Sequence, residues 1–218
     1  MSLIEFLQPD EDINSRLPVD CLVMAAGLSS RMGQWKMMLP FGDQSDGLRT
    51  LLDHSLRNAL QSCRRVVLVT GFRSEELMVR YADIPNIHLV HNSGFREGLS
   101  HSVLTALSHV ETEQAFITLG DLPFLNSTIF QTIWQARGEQ AAFPFYQSEE
   151  PTTPQKGHPV LLPASLIPGL LAENSSRPVR KRLEPYIQKL LLPFPEIIQD
   201  IDTPDMYREA LAAEAEAH

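Results

Sequence analysis

Short apolar runs recur along this chain, each followed by a segment of helical periodicity, and this alternation constrains the fold more than any other feature. Val19 to Met24, apolar but for Asp20, is a run of the kind found in buried parallel strands, and Val66 to Val69, Ile87 to Val90 and Ala115 to Leu119 are predicted as further, largely apolar strands. Between them, Thr50 to Ser62 carries Leu51, Leu52, Leu56 and Leu60 at helical spacing. Glu75 to Tyr81 and Leu99 to Val110 read as further helices, and Asn126 or Ser127 can cap one that runs to Gln135. Further strands are predicted over Ala142 to Phe145, Val160 to Leu162 and Ile197 to Ile201. A helix-rich stretch is predicted over Ala164 to Lys189, and a last helix over Pro204 to Ala212 with Pro204 in its first turn. This order predicts an α/β fold of three layers, a mainly parallel sheet with helices on both faces.

The prediction is of one domain over residues 18–218, preceded by a polar, loosely attached extension over residues 1–17. The segment Gln147 to Gly157, broken by Pro151 and Pro154, reads as a mobile loop rather than a domain boundary. A net charge of −9 argues against general nucleic-acid binding, which needs a basic face. No apolar run approaches the roughly 20 residues that span a bilayer. Glu5, Asp10, Glu11 and Asp12 make the start acidic, unlike a secretory signal, so a cytoplasmic protein is expected. Cys21 and Cys63 form no CxxC pair and read as reduced, buried side chains.

Chemistry concentrates where the strands end. Residues 22–36 read Leu-Val-Met-Ala-Ala-Gly-Leu-Ser-Ser-Arg-Met-Gly-Gln-Trp-Lys, an apolar strand that empties into a small, hydroxylated and cationic loop. Backbone N–H groups at Gly27 to Ser30, with Arg31 and Lys36, suit such a loop to holding phosphate. The spacing is neither a Walker A motif nor a G-x-G-x-x-G fingerprint. Asp121, in Gly120-Asp121-Leu122-Pro123, is in isolation a turn aspartate, but at a strand end it can hold a divalent cation against phosphates. Asp202, in Asp200-Ile201-Asp202-Thr203-Pro204, has helix capping as its ordinary role. Asn92 to Ser102 places Gly98 ahead of a helix whose first turn offers hydroxyls and free N–H groups to an anion or a base edge. His101, between two serines, reads as a helix surface residue. His158 precedes a proline, which holds it extended and able to face a cleft. Arg177, Arg180, Lys181 and Arg182 form the one dense basic cluster, by default a solvated helix face.

Taken together, Ala25-Ala26-Gly27, Arg31-Met32-Gly33, Lys36, Met38-Leu39-Pro40, Gly120-Asp121-Leu122-Pro123 and Asp200-Ile201-Asp202-Thr203-Pro204 resemble the MobA-like nucleotidyltransferases, over about residues 20 to 205. The resemblance implies a Rossmann-like nucleotidyltransferase fold. It also implies a nucleoside triphosphate bound by Ala25, Ala26, Gly27, Ser29, Ser30, Arg31, Lys36, Asn92, Gly98 and Ser102. Arg31, Lys36 and Asp121 would be the catalytic groups, and Asp121 with Asp202 the carboxylates for Mg²⁺. Asp200 is passed over as lying one pleat earlier on the predicted strand. His158, Arg177 and Arg180 would face the acceptor.

Ala26, where guanylyl-transferring members usually have glycine, resembles the cytidylyl-transferring branch and favours CTP. That branch implies molybdopterin as acceptor, pyrophosphate as leaving product and transient contact with a molybdoenzyme. Residues 173–180 depart from the branch by lacking its glycines, and Ser93 replaces its proline. Two rivals stand beside this expectation: nucleotidyl transfer to another phosphorylated metabolite from GTP or another donor, and a non-catalytic nucleotide- or cofactor-binding protein on the same fold.

Overall fold

The computed structural model describes residues 1–8, 13–45, 48–147, 153–173 and 175–216. Strands β1 (Leu17–Met24), β2 (Cys63–Thr70), β3 (Ile87–His91) and β4 (Gln114–Leu119) lie parallel in the order β3-β2-β1-β4. Beyond them come β5 (Ala141–Tyr146), β6 (Gln155–Lys156), β7 (Val160–Pro163) and β8 (Ile187–Leu192). β7 runs antiparallel between β4 and β5, β6 pairs antiparallel with β5, and β8 pairs parallel with β5. Among the described residues these eight strands make one mainly parallel sheet.

Period-two alternation divides the core between the two faces. Val19, Cys21 and Val23 of β1 point to one side, with Leu52, Leu56 and Leu60 of α2 (Leu51–Ser62), Leu77 of α3 (Ser74–Tyr81) and Phe130 of α5 (Ser127–Trp134). Leu22 and Met24 point to the other, with Val103 and Ala106 of α4 (Leu99–Leu107), Leu170 of α6 (Ile167–Ala172) and Val179 of α7 (Val179–Arg182). The result is the three-layer architecture expected. The chain leaves β1 towards β2 and β3, then returns past β1 to β4, so the direction of winding reverses at the carboxyl ends of β1 and β4. Open α/β sheets bind ligands at such a switch point.

Three expectations change. Within the segment over residues 1–17, Leu3–Leu7 form a helix, α1, that packs on the domain, with Phe6 and Leu7 buried against α2 and the guanidinium groups of Arg49 and Arg57 over the Phe6 ring, while residues 9–12 lie outside the described residues. The helix-rich stretch expected over Ala164 to Lys189 holds α6, α7 and two 3₁₀ turns, but it stops at Tyr186, after Pro185, and Ile187–Leu192 add β8 to the sheet. The strand expected over Ile197 to Ile201 is absent; Pro195–Ile198 form a 3₁₀ turn, and the chain then runs without regular structure into α8 (Pro204–Glu216). The loop expected over residues 147–157 lies partly outside the described residues, while its far end carries β6. Cys21 and Cys63 are free, buried thiols.

Candidate active site

A cavity of about 420 Å³ opens at the switch point. One wall is the loop after β1, from Ala26 to Arg31 together with Lys36. Ala25 is fully buried beneath it, its N–H bonded to the Val69 carbonyl at 2.9 Å, so it supports the wall and does not face the cavity. The loop is folded on itself: Ser29 takes a left-handed φ of 57°, and its Oγ accepts from the Lys36 backbone N–H at 3.1 Å. A Cβ added at Gly27 would meet no protein atom within 4 Å, so this part of the cradle is open to a ligand.

The opposite wall is the start of α4. Gly98, Leu99 and Ser102 line the cavity. Gly98 has a φ of 96°, a conformation that lets the chain turn into the helix and that a side chain would resist. Asn92 is buried, with its amide already occupied: it donates to Ser102 Oγ at 2.9 Å and accepts from the Gly94 N–H at 2.9 Å. It also bonds His101 Nδ1 at 2.7 Å. Asn92 is not among the residues that line the cavity; its hydrogen bonds hold the turn that presents Gly98 and Ser102. His101 is tied into the same turn.

At the base stand the charged groups. Asp121 is buried directly after β4, and Asp202 arrives from far along the chain because the Ile201 N–H bonds the Asp121 carbonyl at 3.0 Å. Thr203 caps α8 through its hydroxyl, accepting from the Met206 N–H at 3.3 Å. The Asp202 carboxylate consequently has another use: it pairs with Lys36 Nζ at 2.6 Å and Arg31 Nη2 at 2.6 Å. Lys36 Nζ also touches Asp121 Oδ2. Burial alone would lower the Lys36 pKa, but Asp121 and Asp202 more than reverse this and hold it above its ordinary value. Burial would raise the Asp202 pKa; bonding to Lys36 and the nearby Arg31 bring it below the ordinary range.

Asp200 lines this cavity too, off any strand. Its pKa is raised to about 6 by burial, its hydrogen bond with Asp202 and the charges of Asp121 and Asp202. The expected pleat relation to Asp202 does not exist, because no strand forms there.

A second cavity, of about 620 Å³, shares Leu99 and Leu119 with the first. Its floor is apolar, with Val103, Ile117, Phe143, Val160 and Leu183, and its cationic groups are Lys156, Arg180 and Lys181. His158 also lines it, Nδ1 lying 3.2 Å from the Ile117 carbonyl, and burial keeps its pKa below the ordinary value. Of the basic cluster, Arg180 lines this cavity. Arg177 does not: it is exposed, its guanidinium bonding the Lys181 carbonyl at 3.3 Å. Arg182 is buried and paired with Glu173 at 2.9 Å, a structural tie between α6 and α7. Lys156 was missed in the sequence because it stands alone there, brought to the cavity by the β5–β6 pairing.

The loop after β1, Asp121 after β4 and Asp202 ahead of α8 meet in one cavity at the switch point of an α/β sheet, the arrangement of a nucleotide-handling transferase. Residues 21–190 match the MobA-like NTP transferase domain, and the chain belongs to that family of nucleotidyltransferases. It is 42% identical over 190 residues to the molybdenum cofactor cytidylyltransferase of Escherichia coli K12, spanning 86% of this chain and 92% of that protein. Its fold is similar to that of the Rv0371c homologue from Mycobacterium sp. strain JC1, at 25% identity and TM-score 0.73, covering 93% of this chain and 100% of the other. It is also similar to Mycobacterium tuberculosis Rv0371c solved as a manganese complex, at 21% identity and TM-score 0.64, covering 90% and 100%.

Proposed function

We propose that this protein transfers CMP from CTP to the terminal phosphate of molybdopterin and releases pyrophosphate. The observation that carries the reading is the pair of adjoining cavities. One is lined by the signature loop, Asp121 and Asp202; the other combines an apolar floor with Lys156, Arg180 and Lys181. Apolar walls suit a flat ring system and the cations suit its phosphate. Burial and the charges of Arg180 and Lys181 depress the Lys156 pKa, which marks a place where an anion relieves crowded positive charge.

Asp121 Oδ1 is buried without a hydrogen-bond partner, and carboxylate oxygens are the donors that Mg²⁺ prefers, so Asp121 and Asp202 fit as its holders. Bound there, Mg²⁺ would neutralise charge developing on the reacting phosphates. Arg31, Lys36 and the N–H groups of Gly27 to Ser30 hold the triphosphate. An acceptor phosphate oxygen, already anionic at neutral pH, attacks the α-phosphorus. The bond to the bridging oxygen breaks, and pyrophosphate leaves with its electron pair. No protein nucleophile is needed; rate comes from in-line positioning and charge stabilisation.

The cytidylyltransferase relative and the Ala26 methyl support cytosine as the base. Steady-state pyrophosphate release with Mg²⁺, molybdopterin and each of CTP, GTP and ATP tests the reading. CTP is expected to give the highest kcat/KM, and a preference for GTP or for a different phosphorylated acceptor would contradict it.

A further inference from the structure

Lys36 occupies the space between the two carboxylates assigned to the metal. Its ammonium bonds Asp202 Oδ1 at 2.6 Å and touches Asp121 Oδ2, and its side chain is only 9% exposed. We infer that Lys36 is the resident cation of the site, and that it must move off the carboxylates before a divalent ion can engage both of them, so that metal and nucleotide load together. The inference rests on the assignment of Asp121 and Asp202 to the metal and adds an order of occupancy to it.

The physical case is electrostatic. A buried ammonium is costly to leave without a counter-ion, and while Lys36 holds Asp121 Oδ2 and Asp202 Oδ1 and Arg31 holds Asp202 Oδ2, a divalent ion can reach only Asp121 Oδ1. The Lys36 backbone is fixed by the bond to Ser29, so only the head of the side chain can move. Triphosphate lying against residues 26–31 would give that head a new anion in the same cavity. Arg31 repeats the arrangement at the rim, pairing with Asp202 Oδ2 at 2.6 Å while its side chain is 73% exposed. Without nucleotide both cations stay on the carboxylates and divalent ions bind weakly. Nucleotide draws the cations away, and by linkage each ligand strengthens the other by the same factor.

Mn²⁺ binding to the nucleotide-free protein, followed by electron paramagnetic resonance or calorimetry, tests this directly. Lys36→Gln is expected to bind Mn²⁺ at least about tenfold more tightly than wild type, a difference that means the ammonium was competing. Arg31→Gln, altered at an exposed side chain and therefore free of folding risk, is expected to gain about threefold, in line with its looser hold on Asp202. No gain in a folded Lys36→Gln, or no gain in Arg31→Gln should Lys36→Gln fail to fold, overturns the inference. The metal assignment is tested separately: in wild type with CTP present, Asp121→Asn should weaken Mn²⁺ binding. If it does not, the assignment fails whatever Lys36 does.

Discussion

At the scale of single residues, the site is a balance of charge. Asp121, Asp200 and Asp202 converge on Lys36 and Arg31, and Asp121 Oδ1 still lacks a partner. Removing one carboxylate from such a centre removes transition-state stabilisation more than substrate binding. Asp121→Asn is expected to lower kcat by about 10²- to 10³-fold with the fold intact, and Lys36→Ala by more than about tenfold; stopped assays of pyrophosphate alongside circular dichroism check both. Ala26 makes a finer prediction. Gly71 approaches it so closely that an added Cβ would come within 2.8 Å of the Ala26 Cβ. The Ala26 methyl is thereby fixed in the cavity wall. Ala26→Gly is expected to narrow the CTP-over-GTP preference by about tenfold, the worth of one methyl in a binding pocket. An unchanged ratio of kcat/KM values would remove Ala26 from base selection.

At the scale of elements, the helices and their caps keep the switch point rigid. Asp53 is fully buried at the start of α2, where it accepts from the Thr50 N–H at 2.8 Å, Arg80 Nη2 at 2.5 Å and the Tyr81 hydroxyl at 2.7 Å. It ties α2 to α3 on one face of the sheet. Asp53→Ala leaves the Arg80 guanidinium without its carboxylate and should cost about 3–5 kcal/mol, read from urea denaturation. His54, its neighbour, packs edge-on against Phe41 with ring centroids 5.1 Å apart. Burial holds the His54 pKa below its ordinary 6.5, against the opposing charges of Glu214 and Asp53. The unfolded chain therefore takes up a proton near pH 6.5 that the folded chain refuses. His54 contributes stability that is complete above that pH and lost as pH falls towards the folded value. Asp200, with its raised pKa, acts in the opposite sense over the same range, so the His54 share is read by difference: between pH 7 and 5 the urea midpoint of wild type should fall relative to that of His54→Gln.

These same elements show what the sequence could and could not reveal. The strands β1, β2 and β4 and helix α2 were legible because burial on both faces writes a largely apolar run and helix packing writes a regular stripe. β8 was not, since Gln188 and Lys189 separate Ile187 from a run of only three leucines that ends at Pro193. α1 was hidden for a related reason: five residues are too few to establish a period, and only packing of Phe6 and Leu7 defines it.

At the scale of the whole molecule, the topology brings distant residues into one place. Lys36 and Asp202 lie 166 positions apart in the chain and meet because β1, β4 and the segment before α8 end at one edge. Motif residues in the loop could be read directly, since they are contiguous. The roles of Asn92 and Lys156 could not, because each depends on which strand or helix its segment packs against. The second cavity is likewise assembled from β4, β5, β7, α4 and α7, none of which announces it alone.

The central claim is a direct transfer of a nucleotidyl group between these two cavities. CTP labelled at the α-phosphate, incubated with the protein, Mg²⁺ and molybdopterin, follows that phosphate to its destination. The label is predicted to enter a molybdopterin cytosine dinucleotide, with one pyrophosphate released for each label transferred and no transfer when molybdopterin is omitted. Label that appears instead as free CMP, or that stays in CTP while nucleotide remains tightly bound, would contradict the account.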